Sequence, residues 1–105
     1  MTFLQKSPFI GPAKSGTITV DFGSAPGQYL IETVVSGQAG IVQTSTINVK
    51  FTNTATVSNT IGNHLVASMF TVIVVKEIVD NTSFTIAIKS EVKLRGEFNL
   101  FWEWQ

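Results

Sequence analysis

Apolar residues recur at every second position through most of this chain, and no stretch sustains a helical period. Strict alternation is the signature of a half-buried strand, because successive side chains of extended backbone point to opposite faces. The first such run is Thr17–Phe22, with Ile18, Val20 and Phe22 on one face and Thr17, Thr19 and Asp21 on the other. Gly23-Ser-Ala-Pro26-Gly27 then supplies a turn, since proline fixes φ and glycine admits positive values. Tyr29–Ser36 is the second strand, apolar on both faces, which predicts a central position or an interface. Gly37–Gly40 turns the chain into Ile41–Phe51, the cleanest alternation. Ile41, Ile47, Val49 and Phe51 share one face there, and Val42, Thr44, Thr46, Asn48 and Lys50 the other.

A polar run rich in Asn and Thr, Thr52–Asn63, reads as a long loop, and long loops in small domains are often functional. Leu65–Glu77 follows as a long strand, apolar on both sides, and Asp80-Asn81-Thr82 makes the next turn. Ser83–Lys89 points Phe84, Ile86 and Ile88 one way. The last strand, Gly96–Trp104, sets Phe98, Leu100, Trp102 and Trp104 against Asn99, Phe101 and Glu103. With no helical crossover to join parallel strands, the pattern predicts an all-β fold and a nearly helix-free far-UV spectrum. The architecture expected is an antiparallel β-sandwich of about six strands, of jelly-roll or flattened-barrel type, over residues 16–105. Residues 1–15 contain Pro8, Gly11 and Pro12 and cannot be a regular central strand. They read as an extended N-terminal arm whose Phe3, Leu4, Phe9 and Ile10 lie on a neighbouring subunit.

Composition sharpens this picture. The 105 residues suit one domain, and 44% are hydrophobic, which excludes disorder. Only 13% are charged, against about 25% in an ordinary soluble domain, so Thr, Ser, Asn and Gln must furnish the surface. Seven basic and seven acidic residues cancel. A neutral exterior favours association with other protein, and it lacks the basic excess that nucleic acid demands. No nucleic-acid partner is expected. The longest apolar stretch, Met69–Val75, is too short to cross a bilayer, so no membrane insertion is expected. There is no cysteine, hence neither a disulfide nor a thiolate metal site.

Candidate chemistry is sparse. His64 is the only histidine, and it stands at the end of the polar loop with no motif around it. Asn59, Asn63 and His64 form a candidate ligand loop. The simpler reading of His64 is a loop-end hydrogen bonder, whose replacement by alanine leaves the fold intact. The seven acids are isolated along the chain, so paired-carboxylate hydrolysis has no candidates, and no glycine-rich loop opens a helix to cradle phosphate. No catalytic residue, cofactor or metal is expected. Trp102 and Trp104 admit two readings, a platform for sugar rings or part of a core or oligomer interface. Their i, i+2 spacing favours core or interface.

Several segments together resemble a family of small virion-associated proteins encoded in tailed-phage genomes. They are Val20-Asp21-Phe22-Gly23-Ser24 with Pro26-Gly27, Gly37-Gln38-Ala39 with Ile41, Ser45-x-Ile47, and a histidine at position 64. Thr82-Ser83-Phe84-Thr85-Ile86 and the ending Gly96-x-Phe98-x-Leu100-x-Trp102-x-Trp104 complete the match over residues 16–104. The neutral 52–63 loop departs from the acidic residues seen in that family. The resemblance implies a non-enzymatic virion structural protein, a capsid decoration or a tail-fibre or baseplate component, among other virion proteins. More distantly, the strand count and Trp-bearing last strand are similar to the H-type lectin fold, whose members are trimers; a homotrimer is therefore expected. The alternative implied is a carbohydrate-binding, receptor-recognition module for a host surface glycan.

Overall fold

The structure is a computed structural model and describes residues 14–105, so Phe3, Leu4, Phe9 and Ile10 lie outside the described residues. In chain order the elements are β1 (Lys14–Asp21), β2 (Gln28–Ser36), β3 (Ile47–Phe51), α1 (Ile61–Phe70), β4 (Thr71–Val79), β5 (Ser83–Leu94) and β6 (Glu97–Trp104). The strands form two antiparallel three-stranded sheets, ordered β1-β6-β3 and β2-β5-β4. The all-β architecture is thus the one that the alternation predicts, with one short helix added.

Each sheet turns its central strand's apolar face to a shared core. Phe84, Ile86 and Ile88 come from β5, and Phe98, Leu100, Trp102 and Trp104 from β6. Val20, Phe22, Val35, Ile41 and Ala67 close the core. Phe84 meets Trp102 edge to face, with ring centroids 5.7 Å apart. Gly16 makes room for that indole, since a Cβ there would stand 2.7 Å from its ring. The buried Trp104 Nε1–H donates to Gln38 Oε1 at 2.7 Å, and Gln38 Nε2 in turn donates to the Ser36 carbonyl. Both tryptophans, 7% and 3% exposed, are therefore core residues buried by their own chain. That removes them from the expected oligomer interface and leaves no indole face for a sugar.

Four expectations need correction. Tyr29–Ser36 is not central: β2 is an edge strand, and the apolar residues of its second face, Leu30 and Val34, are exposed. Of Ile41–Phe51, only Ile47–Phe51 is a strand. Ser45 N–H donates to the Val42 carbonyl, and its Oγ accepts from Val42 N–H, a local closure that replaces ladder bonds. Ile41 still fills the core, but from a turn. Leu65–Glu77 is not one strand either: α1 occupies Ile61–Phe70 and β4 begins at Thr71. The Thr60 side chain caps that helix by accepting from Asn63 N–H, and Leu65, Ala67 and Met69 are strong helix formers. Finally, β1 begins at Lys14, inside the expected arm.

Candidate functional site

The polar loop is real over residues 52–60, but its Asn59 amide faces inward while Asn53 is exposed. Asn59 is buried; its Nδ2 donates to the carbonyls of Arg95 (3.1 Å) and Glu97 (2.8 Å), and its Oδ1 accepts from Asn63 Nδ2. Ser58 Oγ accepts from Glu97 N–H at 2.8 Å. These bonds clamp the loop onto the β5–β6 turn, where Gly96 has φ +78° and a Cβ would collide with Ser58 and Asn59. Only Asn63 of the candidate ligand loop is exposed.

His64 is not at a loop end. It sits on α1, fully buried, with its ring 5.0 Å from that of Phe98. Asn99 N–H donates to its Nε2 at 2.9 Å, so that nitrogen is an acceptor. Nδ1 lies 2.8 Å from the Thr60 carbonyl and must be the donor. Two backbone groups thus fix one neutral tautomer and use both ring nitrogens. The side chain fastens α1 to β6. This geometry predicts instead that His64→Ala weakens the fold.

What α1 leaves outside is the notable surface. Among its ten residues only His64 and Ala67 are buried, while Ile61, Leu65, Val66, Met69 and Phe70 are exposed. Leu65 and Met69 show 66% and 73% of their surface to solvent. A helix that is apolar nearly all round belongs in a buried setting. Exposed Val72 and Val74 extend the apolar surface from the end of α1 along the outer face of β4. Between α1 and β3 runs a groove of 590 Å³ walled by Phe51, Ile61, Leu65 and Phe101. Lys50 lies over the Phe101 ring, its Nζ 5.8 Å from the centroid.

Charge is thin around these surfaces. Lys76 Nζ donates to Glu32 Oε2 at 2.7 Å across the outer face of the β2-β5-β4 sheet. That hydrogen bond, then the charge of Glu32, raises the lysine's pKa above its ordinary value. Among the described residues, no three His, Asp or Glu side chains gather to hold a metal ion. The apolar face of α1 was hidden from the sequence reading because two-faced apolar runs were assigned to strands. The same residues, Leu65, Val66, Met69 and Phe70, carry the signal once placed on a helix. The chain matches no protein-family model, no curated protein and no solved structure.

Proposed function

We propose that the chain is a non-enzymatic structural protein of a tailed-phage particle, working as a homo-oligomer in capsid decoration or in a tail fibre or baseplate. The observation that carries the oligomeric reading is the exposed apolar face of α1 with Val72 and Val74 beside it. Monomeric proteins rarely expose apolar patches beyond a few hundred Å², and a second copy that covers this one would bury it. The low charge supports the same reading, because neutral polar surfaces stay associated.

The phage reading rests on the resemblance, and several segments that carry it are what holds this fold. Asp21 closes the first turn by accepting from Gly23 N–H, Gln38 satisfies Trp104, His64 anchors α1, and Gly96 admits the 52–60 loop. In this proposal the two sheets are the layers of a jelly-roll or H-type-lectin-like sandwich, and the assembly is a trimer. The glycan-binding alternative has lost its indole platform to the core, where Trp102 and Trp104 are buried.

Sedimentation equilibrium on the full chain tests the oligomer, with a trimer expected at micromolar concentration; a stable monomer rejects the reading. Immunogold labelling of particles made from a genome carrying this gene tests the location. Unlabelled particles would reject a virion role.

A further inference from the structure

β1 and β3 are the outer strands of their sheet, so each has one free edge. Thr46 exchanges both backbone bonds with Gln105, and Thr52 N–H donates to the Asn99 carbonyl. Odd-numbered residues of β6 thus bond toward β3, which leaves the even-numbered ones to bond toward β1. Phe22 N–H, donating to the Gly96 carbonyl, follows the same alternation. In β1 it is therefore Ser15, Thr17, Thr19 and Asp21 that turn their N–H and C=O groups outward. An open cleft of 360 Å³ lies between the end of this edge and β2.

Such an edge is a template for another strand unless bulges, prolines or charges guard it. β2 and β4 are guarded, each by a break in register, beside Tyr29 and at Lys76. β3 is only five residues long, and α1 packs against it. β1 runs for eight residues in unbroken register, without proline, and its two charges, Lys14 and Asp21, stand at its ends.

We propose that β1 pairs antiparallel with β1 of a second copy across a two-fold axis at Ile18, joining two three-stranded sheets into one. What selects a second copy is that this strand complements itself. Outward backbone groups must meet outward ones, so odd residues oppose odd residues. With Ile18 opposite its own copy, all four outward residues find partners, Ser15 with Asp21 and Thr17 with Thr19. A slip in either direction leaves Asp21 or Ser15 with no residue of β1 opposite it. A serine hydroxyl then faces a carboxylate, threonine faces threonine, and no like charges meet. On the inner face, Ile18, half-buried in one copy, packs on Ile18 of the other.

This contact goes beyond the oligomeric reading above and uses the opposite side of the molecule. α1 packs on β3, β4 and β5, whereas β1 is at the far edge of its sheet from β3. A single strand edge buries less surface than a standard interface, so pairing sets in at about 1 mM and not at micromolar concentration. It joins copies, or whole oligomers, that are already held close together.

The chain has no cysteine, so Thr17→Cys and Thr19→Cys in the full-length protein report both the contact and its register. Opposed residues stand about 5.5 Å apart, within disulfide range, while each lies more than about 7 Å from its own copy. Oxidised at about 1 mM, the mixed variants should yield about tenfold or more heterodimer than either alone yields homodimer. Equal linking in all three samples would mark random collision and overturn the pairing, as would no linking at all. Thr17→Cys linking to itself would overturn the axis at Ile18. The unmodified chain supplies a check that no substitution can disturb. Amide exchange at Thr17 and Thr19 should slow about twofold or more between micromolar and millimolar concentration, and unchanged rates would reject the pairing. A chain that sediments as a monomer at micromolar concentration rejects the oligomeric reading and leaves this contact standing; loss of the cross-link does the reverse.

Discussion

His64 shows how much one side chain can hold when both of its polar atoms are spoken for. Its ring fills space beside Phe51 and Phe98, and its Nε2 accepts from the N–H of the half-buried Asn99. Deletion therefore combines a cavity with an orphaned donor. His64→Ala should lower unfolding stability by about 2–4 kcal/mol, measured by urea denaturation. Nitrogen NMR should find the Nδ1–H tautomer in the intact protein; an Nε2–H ring would contradict the bond to Asn99. Trp104→Phe isolates a different effect, since it keeps an aromatic ring but strands Gln38 Oε1 in the core. A loss of about 1–3 kcal/mol is expected on unfolding, without change in the far-UV spectrum. Neither role was legible from the sequence. Asn99 lies 35 residues from His64 and Gln38 lies 66 from Trp104, and local spacing carries no trace of such partners.

At the scale of elements, the period-two pattern placed β6 and the first half of β5, where one face is buried and alternation is enforced, but it ended β5 at Lys89, five residues short of Leu94, where Val92 on that face is exposed. It failed where no face is fully buried. A short run of Leu, Val, Met and Phe satisfies a two-faced strand and an all-apolar helix equally, so Leu65–Phe70 was assigned to the wrong one. The discriminating signals were Thr60 as a cap and three good helix formers, Leu65, Ala67 and Met69, in the second half of the run. With ten residues, α1 is too short to hold itself in water and depends on its cap, His64 and Ala67. Thr60→Ala should cost about 1 kcal/mol, and chemical shifts of residues 61–64 should lose helical character first. An unchanged melting curve in that variant would show that the cap bond contributes nothing. The candidate site was legible only in part, because the apolar residues were visible while the helix that gathers them was not.

For the whole molecule, what decides the nature of assembly is that the patch on α1 and β4 is apolar while the chain is electrically neutral. Association through such a surface is hydrophobic, and added sodium chloride has no attraction to screen. The Lys76–Glu32 pair behaves oppositely: it is exposed, and salt weakens it. Its raised lysine pKa means that any stability it adds is present at neutral pH and fades as pH climbs through the folded-state value. Self-association should therefore hold or tighten between low and high ionic strength, and sulfate should strengthen it further. The double variant Leu65→Lys with Met69→Lys places two charges on positions whose surface is mostly exposed to solvent. Its melting temperature as a monomer should stay within a few degrees of that of the parent chain, since surface substitutions rarely exceed about 0.5 kcal/mol. Its sedimentation equilibrium should show monomer where the parent shows oligomer. An oligomer that survives both lysines yet dissociates in salt would place the contact on charged surface away from α1, and would remove the observation on which the proposed assembly stands.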